Sequence, residues 1–416
     1  MDKNEFIGKK RNLSESQNSN NNNLNKNNSN DDSLNSTQNS NTIINTNLLF
    51  EDKLYNEGIT LTNHTHWINK VLILKNQPKH NLISSSADGK IIIYDTYPLY
   101  KSMLEIKLFG ESGVTYLTEL KNGSIIACSF GAIKQFLLKY NSLENKYIYE
   151  VINYYAICTS YISKCIELIN EDLLFISQQN SIIIMKKIKK DNYNKKNENI
   201  KKKEEKGNLI NDNFVMQSPI KLLKYEICIN IEQLNQKLLI SGNITDPKYN
   251  IIERHSNKIN NNNSINFYDD NYNVISKIKN VYCTKSQENI IKVNDKYVIV
   301  GIEICFNEVN WNNKKGIALI DYINYQILSF YEVSNQISSI LLYENNLYIG
   351  DNKGYVEKYI IKYNDIIFQK NKRVHFYNIN SITYDYIYDN DLDQKIFLII
   401  TGSNDGKIKI LSYFND

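Results

Sequence analysis

The chain has 416 residues and a nearly balanced charge, with 49 lysines and arginines against 45 aspartates and glutamates. The resulting net charge of +4 gives little support for nucleic acid binding as the main role. No apolar run reaches the roughly 18 residues that a membrane-spanning helix requires, and the N-terminus lacks the apolar core of a secretory signal. We therefore expect an intracellular protein, either cytoplasmic or nuclear.

The N-terminal segment, residues 1–47, is rich in asparagine and serine and has few residues that could form a core. Such a composition cannot bury enough apolar surface to offset the entropy lost on ordering. We expect a disordered tail over residues 1–47, followed by one folded domain over residues 48–416. A Lys/Asn-rich stretch at about 187–212 predicts a solvated insert within that domain.

The first strand-rich unit has four apolar segments, at 68–74, 81–86, 90–95 and about 100–108. Asp88 and Gly89 separate the second segment from the third. Asp-Gly between apolar runs is a strong hairpin signal, because glycine tolerates the positive φ that such turns need. The unit is therefore predicted to be a four-stranded antiparallel sheet.

Five further groups of apolar segments follow, beginning near residues 114, 162, 227, 288 and 336. Their lengths of about four to eight residues and their regular spacing are typical of an all-β fold. In the second group, Phe130-Gly131 is predicted to form the turn that Asp88-Gly89 forms in the first. Polar inserts interrupt the fourth group at 243–263 and the fifth at 303–314.

The end of the chain repeats the first unit. Residues 374–380 align with residues 63–69, and a second strand–turn–strand pattern follows at 397–411. Three chemically informative residues of the first unit recur in the same order: His64, Ser86 and Asp88 correspond to His375, Ser403 and Asp405. Two copies at the two ends indicate that repeats fill the chain between them.

These two units resemble the WD40 repeat. Asn63-His64 stands where that family has Gly-His, Tyr94-Asp95 stands where it has its closing Trp-Asp, and Asp88 lies six residues before Tyr94, as in the family. In the family, the His, a strand serine, the turn aspartate and the Trp form a buried hydrogen-bonded tetrad. The resemblance therefore implies two structural tetrads: His64, Ser86, Asp88 and Tyr94 in the first unit, and His375, Ser403 and Asp405 in the last, where Leu411 takes the Trp position.

The number of strands indicates how the ring would close. The last unit has only three strand segments, and a strand-like segment at 58–62 precedes the first unit. The resemblance thus implies an all-β, seven-bladed WD40-like β-propeller whose N-terminal strand closes the last blade, with eight blades as the alternative. Such closure leaves only short, protected sheet edges.

No motif with catalytic or cofactor-binding chemistry occurs. The sequence has no phosphate-binding loop, dinucleotide-binding fingerprint, HExxH motif or EF-hand loop. Its six cysteines lie in or beside apolar segments without CxxC spacing, which favours buried free thiols over disulfides or metal ligands. We therefore predict no catalytic residue, no cofactor and no metal site, and we expect that the protein is not an enzyme.

The resemblance implies a non-catalytic scaffold or adaptor, a monomeric propeller that binds protein partners within a larger complex. One alternative is an RNA- or ribosome-assembly-associated propeller that uses its Lys-rich loops. A lesser alternative is a substrate receptor of a ubiquitin-ligase complex, although the WD-x-Arg ending of such receptors is missing, since Tyr97 follows Asp95 and Thr96.

In each unit we call the first strand in chain order the inner strand, and the turn between the second and third strands the central turn. Candidate partner-binding residues are expected on the face that carries the central turns and the loops before the inner strands. The residues just before inner strands are Trp67, Tyr161 and Asn378. The inserts of the fourth and fifth units would add Arg254 and Trp311 to the same face. Trp, Tyr and Arg are the residue types that dominate binding energy at protein interfaces.

Overall fold

Short runs rich in isoleucine, valine and tyrosine form the regular structure of this protein, which is described here from a computed structural model. The described residues are 58–412, except 78–79, 96–98, 145, 178–180, 188–213, 217–219, 222–225, 237, 246–263, 270, 280, 284–287, 305–313 and 390–393. Every described residue belongs to one compact unit, residues 50–416. The predicted tail at 1–47 and residues 188–212 of the predicted insert lie outside the described residues.

Every regular element among the described residues is a β-strand. The first half of the chain contains β1 (Ile59–Leu61), β2 (Ile68–Ile73), β3 (Leu82–Ser86), β4 (Ile91–Tyr94), β5 (Ser102–Ile106), β6 (Tyr116–Glu119), β7 (Ile125–Cys128), β8 (Phe130–Asn141), β9 (Lys146–Glu167), β10 (Leu173–Ser177), β11 (Ser181–Lys187), β12 (Phe214–Met216) and β13 (Ile220–Lys221). The second half contains β14 (Glu226–Asn235), β15 (Leu238–Thr245), β16 (Ser264–Tyr268), β17 (Val274–Lys279), β18 (Val281–Cys283), β19 (Ile290–Lys292), β20 (Tyr297–Ile304), β21 (Lys314–Asp321), β22 (Gln326–Glu332), β23 (Ile337–Tyr343), β24 (Asn346–Asp351), β25 (Tyr355–Lys362), β26 (Asp365–Arg373), β27 (Ile379–Asp389), β28 (Gln394–Ser403) and β29 (Ile408–Leu411).

We number the strand groups by their place in the chain and call them sheets 1 to 7. Sheet 1 is β2–β5, sheet 2 is β6–β8 with the first half of β9, and sheet 3 is the second half of β9 with β10–β13. Sheet 4 is β14–β17, sheet 5 is β18–β22, sheet 6 is β23–β26, and sheet 7 is β27–β29 with β1. All of these strands pair antiparallel with their neighbours.

Sheet 1 has the predicted four strands in chain order. The turn at Asp88-Gly89 is also present, and Gly89 has the expected positive φ of 81°. Gly131 likewise has a φ of 65°, and the Ser129 amide donates to the Ala132 carbonyl at 3.0 Å, so the chain reverses where Phe130-Gly131 was predicted to turn.

The boundary between sheets 2 and 3 differs from the prediction. The second and third groups of apolar segments were expected to be separate, with the third beginning near residue 162, but β9 runs from Lys146 to Glu167 without a break. Its first half pairs with β8 and its second half with β10, so the two groups form one eight-stranded sheet. Residues 153–161 contain neither glycine nor proline, and nothing in their sequence ends a strand.

The N-terminal strand completes sheet 7, as predicted. β1 pairs antiparallel with β29, with Ile59 opposite Ile410 and Leu61 opposite Ile408. Leu61 is buried in the same apolar cluster as Ile408 and Ile410. Segments from the two ends of the folded unit therefore share one sheet, and β1 covers the backbone edge that β29 would otherwise expose.

The buried apolar side chains of the described residues form seven clusters, each shared by two sheets. Six of them join sheets that follow one another in the chain. The seventh joins sheet 1 to sheet 7, where Ile68 and Tyr94 pack with Leu398 and Ile400. Sheet 1 therefore packs against both the second sheet and the last one, and the order of sheet contacts is circular.

Four cysteines are free thiols, as the sequence predicted: Cys128, Cys158, Cys165 and Cys228. Burial raises the pKa of the Cys128 and Cys165 thiols well above the ordinary value. These two thiols are therefore protonated at neutral pH and behave as small apolar side chains. The side chains of the other two cysteines lie outside the described part of the chain.

Candidate functional site

A buried polar triad links the loop before β2 to the central turn of sheet 1, which lies between β3 and β4. His64 Nδ1 donates to Asp88 Oδ2 at 2.9 Å, and His64 Nε2 lies 2.8 Å from Ser84 Oγ. The Asp88 carboxylate also accepts from the backbone amides of Thr65, at 3.0 Å, and Lys90, at 2.9 Å. Because the carboxylate accepts the Nδ1 proton, Nε2 is left to accept the serine hydroxyl proton.

Sheet 7 contains a second triad with the same geometry. His375 Nδ1 lies 2.8 Å from Asp405 Oδ2, and His375 Nε2 lies 2.8 Å from Thr401 Oγ1. The Lys407 amide donates to Asp405 Oδ1 at 3.0 Å, as the Lys90 amide does in sheet 1. The predicted His–Asp pairs are therefore present in both end units.

The predicted hydroxyl partners, Ser86 and Ser403, were wrong. In both sheets the hydroxyl that meets the histidine lies two residues earlier, at Ser84 and Thr401. Residues two apart point to the same side of a strand, and only the earlier one lies level with the ring nitrogen. Ser86 Oγ instead donates to the His66 carbonyl at 3.1 Å and accepts from the Asp88 amide at 3.1 Å, so it stabilises the turn.

The fourth member of the predicted tetrad, Tyr94, is buried in the cluster between sheets 1 and 7. Burial raises the pKa of its phenol to about 12, and nearby Ser84 opposes part of that rise. The phenol oxygen has no hydrogen-bond partner of normal geometry among the described residues. Tyr94 is therefore mainly a packing residue, as is the buried Leu411 at the matching position of sheet 7.

Charge in the triads is held on the carboxylates. Burial alone would raise the pKa of Asp88, but the hydrogen bonds from His64 and from backbone amides hold it well below its usual value. Asp405 behaves in the same way beside His375. Burial lowers the pKa of His375, and the opposing effect of Asp405 is smaller. At neutral pH the neutral imidazole of His375 thus donates to the ionised Asp405 carboxylate.

The order Asp–His–hydroxyl is also that of a hydrolytic triad, so access to the hydroxyl decides its role. Ser84 and Thr401 are both fully buried between strands. A substrate carbonyl could not approach either oxygen without separating the sheets. The triads are therefore structural: they satisfy a buried imidazole and fix the loop before the inner strand against the central turn.

The face that carries the central turns exposes several aromatic side chains. Predicted partner-binding residues Trp67 and Tyr161 are among them, with 51% and 46% of their surface exposed. Three further residues of this face were not predicted, and they are 52–74% exposed: Phe130, Phe376 and Tyr377. We call these five residues the aromatic arc. Two of them could have been identified from the sequence, because Phe376 and Tyr377 directly follow His375 in the segment that aligns with residues 63–69.

Hydrogen bonds and a ring contact hold four members of the aromatic arc in place. The Ala87 amide donates to the Trp67 carbonyl at 2.9 Å. Ser403 Oγ donates to the Tyr377 carbonyl at 3.3 Å. Phe130 and Tyr161 meet edge to face, with 5.0 Å between their ring centroids. The arc therefore presents aromatic side chains from sheets 7, 1, 2 and 3 on rigid backbone.

The remaining predicted partner-binding residues have other positions. Asn378 is half-buried, and its amide donates to Asn380 Oδ1 at 2.5 Å, so it supports the loop before β27. Arg254 and Trp311 lie outside the described residues, and their role stays a prediction.

Polar side chains of the inner strands form a network between sheets. Lys70 of β2 forms an ion pair with Glu288, which lies two residues before β19, and the second oxygen of Glu288 accepts from Ser381 Oγ of β27 at 3.0 Å. Lys164 of sheet 3 pairs with Glu232 of sheet 4 at 3.2 Å. Burial, and then the like charge of Lys164, lower the pKa of Lys70, while Glu232 opposes them.

The described ranges contain neither a cluster of metal-ligating side chains nor a helix that could span a membrane. No three His, Cys, Asp or Glu side chains gather there as metal ligands would. No helix long and apolar enough to cross a membrane occurs there either.

No protein-family model matches the chain, and no curated relative matches it. Among solved structures, the WD40 protein Sqt1 of Saccharomyces cerevisiae is similar with a TM-score of 0.54 and 10% identity, over 86% of this chain and 99% of that one. This likeness concerns the fold alone, and the antiparallel all-strand sheets of the described residues are consistent with a β-propeller. The computationally designed protein Ika8 is also similar, with a TM-score of 0.47 and 12% identity, over 85% of this chain and 97% of that chain.

Proposed function

We propose that this chain is a closed, seven-bladed propeller that acts as a non-catalytic scaffold and binds partner proteins through the aromatic arc. The circular order of the apolar clusters supports closure, because sheet 7 packs against sheet 1 as each other sheet packs against the next. The ion pair between Lys70 and Glu288 adds support, since it joins β2 of sheet 1 to the residue two places before β19 of sheet 5. Side chains of sheets that are not neighbours meet only near a common axis.

The aromatic arc is the observation that carries the binding role. Tryptophan and tyrosine contribute large contact areas at little entropic cost, and they are enriched among the residues that dominate interface energy. Exposed aromatic side chains that gather on one face mark interaction sites more often than scattered apolar residues do. The buried triads and backbone hydrogen bonds hold the loops that carry Trp67 and Tyr377, so binding would require little ordering.

A quantitative affinity purification tests this role. The full chain would be compared with a Trp67→Ala/Phe376→Ala variant and with Tyr363→Ala as the matched control. Tyr363 is an 88% exposed aromatic residue, but it lies in the turn between β25 and β26, at the opposite end of its sheet. We expect the arc variant to lose co-purifying proteins that wild type and the Tyr363 variant retain.

The outcome also separates the scaffold from the RNA-associated alternative. Co-purification that resists nuclease and high salt supports protein partners, because contacts with nucleic acid phosphates weaken steeply with salt. Identical sets of proteins from the arc variant and wild type would refute binding through the arc. RNA that co-purifies in a salt-sensitive way, with no arc-dependent protein, would favour the alternative.

A further inference from the structure

Cationic side chains gather where sheets 6 and 7 meet on the face of the aromatic arc. Lys353 lies in the turn between β24 and β25, Arg373 ends β26, Lys407 lies in the turn between β28 and β29, and Lys409 lies in β29. We call these four residues the basic rim. Direct contacts connect its parts: the Val374 and His375 amides donate to the Gly354 carbonyl, and the Asn404 amide donates to the Asn378 carbonyl.

The acidic groups around the basic rim are turned inward. Asp405 accepts from His375 and from the Lys407 amide. Asp351 is buried and accepts from Asn335 and from the Lys353 amide. Glu357 is buried and hydrogen-bonded to Tyr359, and burial raises the pKa of this carboxyl.

None of the four basic-rim residues forms an ion pair with a carboxylate in the described part of the chain. Burial lowers the pKa of the neighbouring Lys372, and the charge of Lys409 lowers it further. Burial also lowers the pKa of Lys409; Asp405 opposes this effect and the like charge of Lys407 adds to it. The surface at this junction is therefore positive, and an incoming anion would relieve repulsion between like charges.

Two aromatic rings and a backbone carbonyl fix the position of the Arg373 guanidinium. Its guanidinium carbon lies 5.1 Å from the ring centroid of Phe376 and 5.8 Å from that of Tyr355, and its Nε donates to the His375 carbonyl at 3.3 Å. The two terminal nitrogens have no hydrogen-bond partner among the described residues. A stacked guanidinium with a free fork can bind a carboxylate in bidentate geometry with little further loss of side-chain entropy.

We propose that the basic rim and the adjoining Phe376 and Tyr377 bind an acidic, extended segment of a protein partner. Carboxylates of the segment would meet Arg373 and Lys407, and an apolar side chain beside them would pack on the exposed rings. This assignment rests on the proposed scaffold function and adds the chemistry of the partner. A single-stranded nucleic acid fits less well, because Arg373 is already stacked on protein rings and so does not offer a free face to a nucleobase.

Fluorescence anisotropy with the full chain tests the proposal. The probe is a labelled short peptide in which aspartate and glutamate alternate with phenylalanine, and its control replaces every acid by the corresponding amide. We expect the acidic peptide to bind at least about tenfold more tightly than the amide peptide, since hydrogen bonds to charged groups are the stronger ones.

Two variants locate the site. Arg373→Gln should weaken binding of the acidic peptide by about tenfold or more. Lys362→Gln should leave it unchanged, because Lys362 is an exposed lysine at the opposite end of the same sheet. An unchanged melting temperature of the Arg373 variant would show that its effect is on binding.

Equal affinity for the acidic and amide peptides, or no effect of Arg373→Gln, overturns the proposal. Tighter, Arg373-dependent binding of a labelled oligouridine replaces it with nucleic acid recognition. The proposed scaffold function has a separate readout in the Trp67→Ala/Phe376→Ala purification. If partners depend on the arc while the acidic peptide fails to bind, only the assignment of partner chemistry fails.

Discussion

The buried triad of sheet 7 provides the sharpest test of what holds the fold together. In Asp405→Ala, His375 loses the acceptor of its Nδ1 proton, 2.8 Å away, and the Lys407 amide loses an acceptor at 3.0 Å. His375 is almost completely buried, so water cannot replace the lost carboxylate without opening the junction of sheets 6 and 7.

The expected cost follows from these two losses. A buried donor without a partner costs about 1–3 kcal/mol, and an ordinary hydrogen bond contributes about 1 kcal/mol. Because Asp405 itself is only partly buried, some relaxation of the turn is expected. We therefore expect Asp405→Ala to lower the free energy of unfolding by about 2–4 kcal/mol.

Urea denaturation followed by circular dichroism measures this change. The matched control is Asp295→Ala, which removes a carboxylate that is 98% exposed and pairs only with Lys292 on the surface. The control should change stability by less than about 0.5 kcal/mol. If Asp405→Ala were no more destabilising than Asp295→Ala, the triad would not be a stabilising element, and the reasoning from burial would fail.

Three further outcomes follow from the same region. Thr401→Val should cost about 1–3 kcal/mol of unfolding free energy and Ser403→Ala less, because only Thr401 bonds the buried ring; equal costs in thermal unfolding would contradict this. Gly402→Ala should cost about 1–3 kcal/mol in the same assay, because the new Cβ would lie 2.5 Å from a methyl group of Ile68. Folding lowers the pKa of His375, so on acidification the unfolded chain binds the proton first. The contribution of His375 to the free energy of unfolding is therefore fully present above pH 6.5, its ordinary pKa, and is lost as the pH falls below that value. Urea denaturation at a series of pH values measures it, and a free energy of unfolding that rises on acidification from pH 6.5 would contradict this prediction.

The sequence identified the strands well because their signals are local. Alternation, β-branched content and Asp-Gly turns lie within a few residues of one another, and sheet 1 has all four predicted strands in the predicted order. The pairing of β1 with β29 was also predictable, since the last unit lacked a strand and an unpaired strand-like segment preceded the first. The unbroken β9 was missed, because the prediction assumed a break that no residue enforces.

The polar partners of the two histidines show where such inference stops. Repetition of His, Ser and Asp pointed to Ser86 and Ser403, and both lie close to the turn as expected. Which hydroxyl reaches the imidazole depends on the position along the strand that the ring lies beside. The packing of the loop that carries the histidine, before β2 or before β27, decides that position. A difference of two residues along a strand is invisible to spacing alone, since both positions point to the same side.

By itself, the sequence determined the all-β class, the strand and turn positions of sheet 1, the two His–Asp pairs and the strand that completes sheet 7. The tertiary structure alone decided the network through Lys70 and Glu288, the aromatic arc and the basic rim. The physical reason is range. Backbone conformation follows from neighbouring residues, whereas a charge network or a binding surface exists only after distant sheets have packed side by side and brought their side chains together.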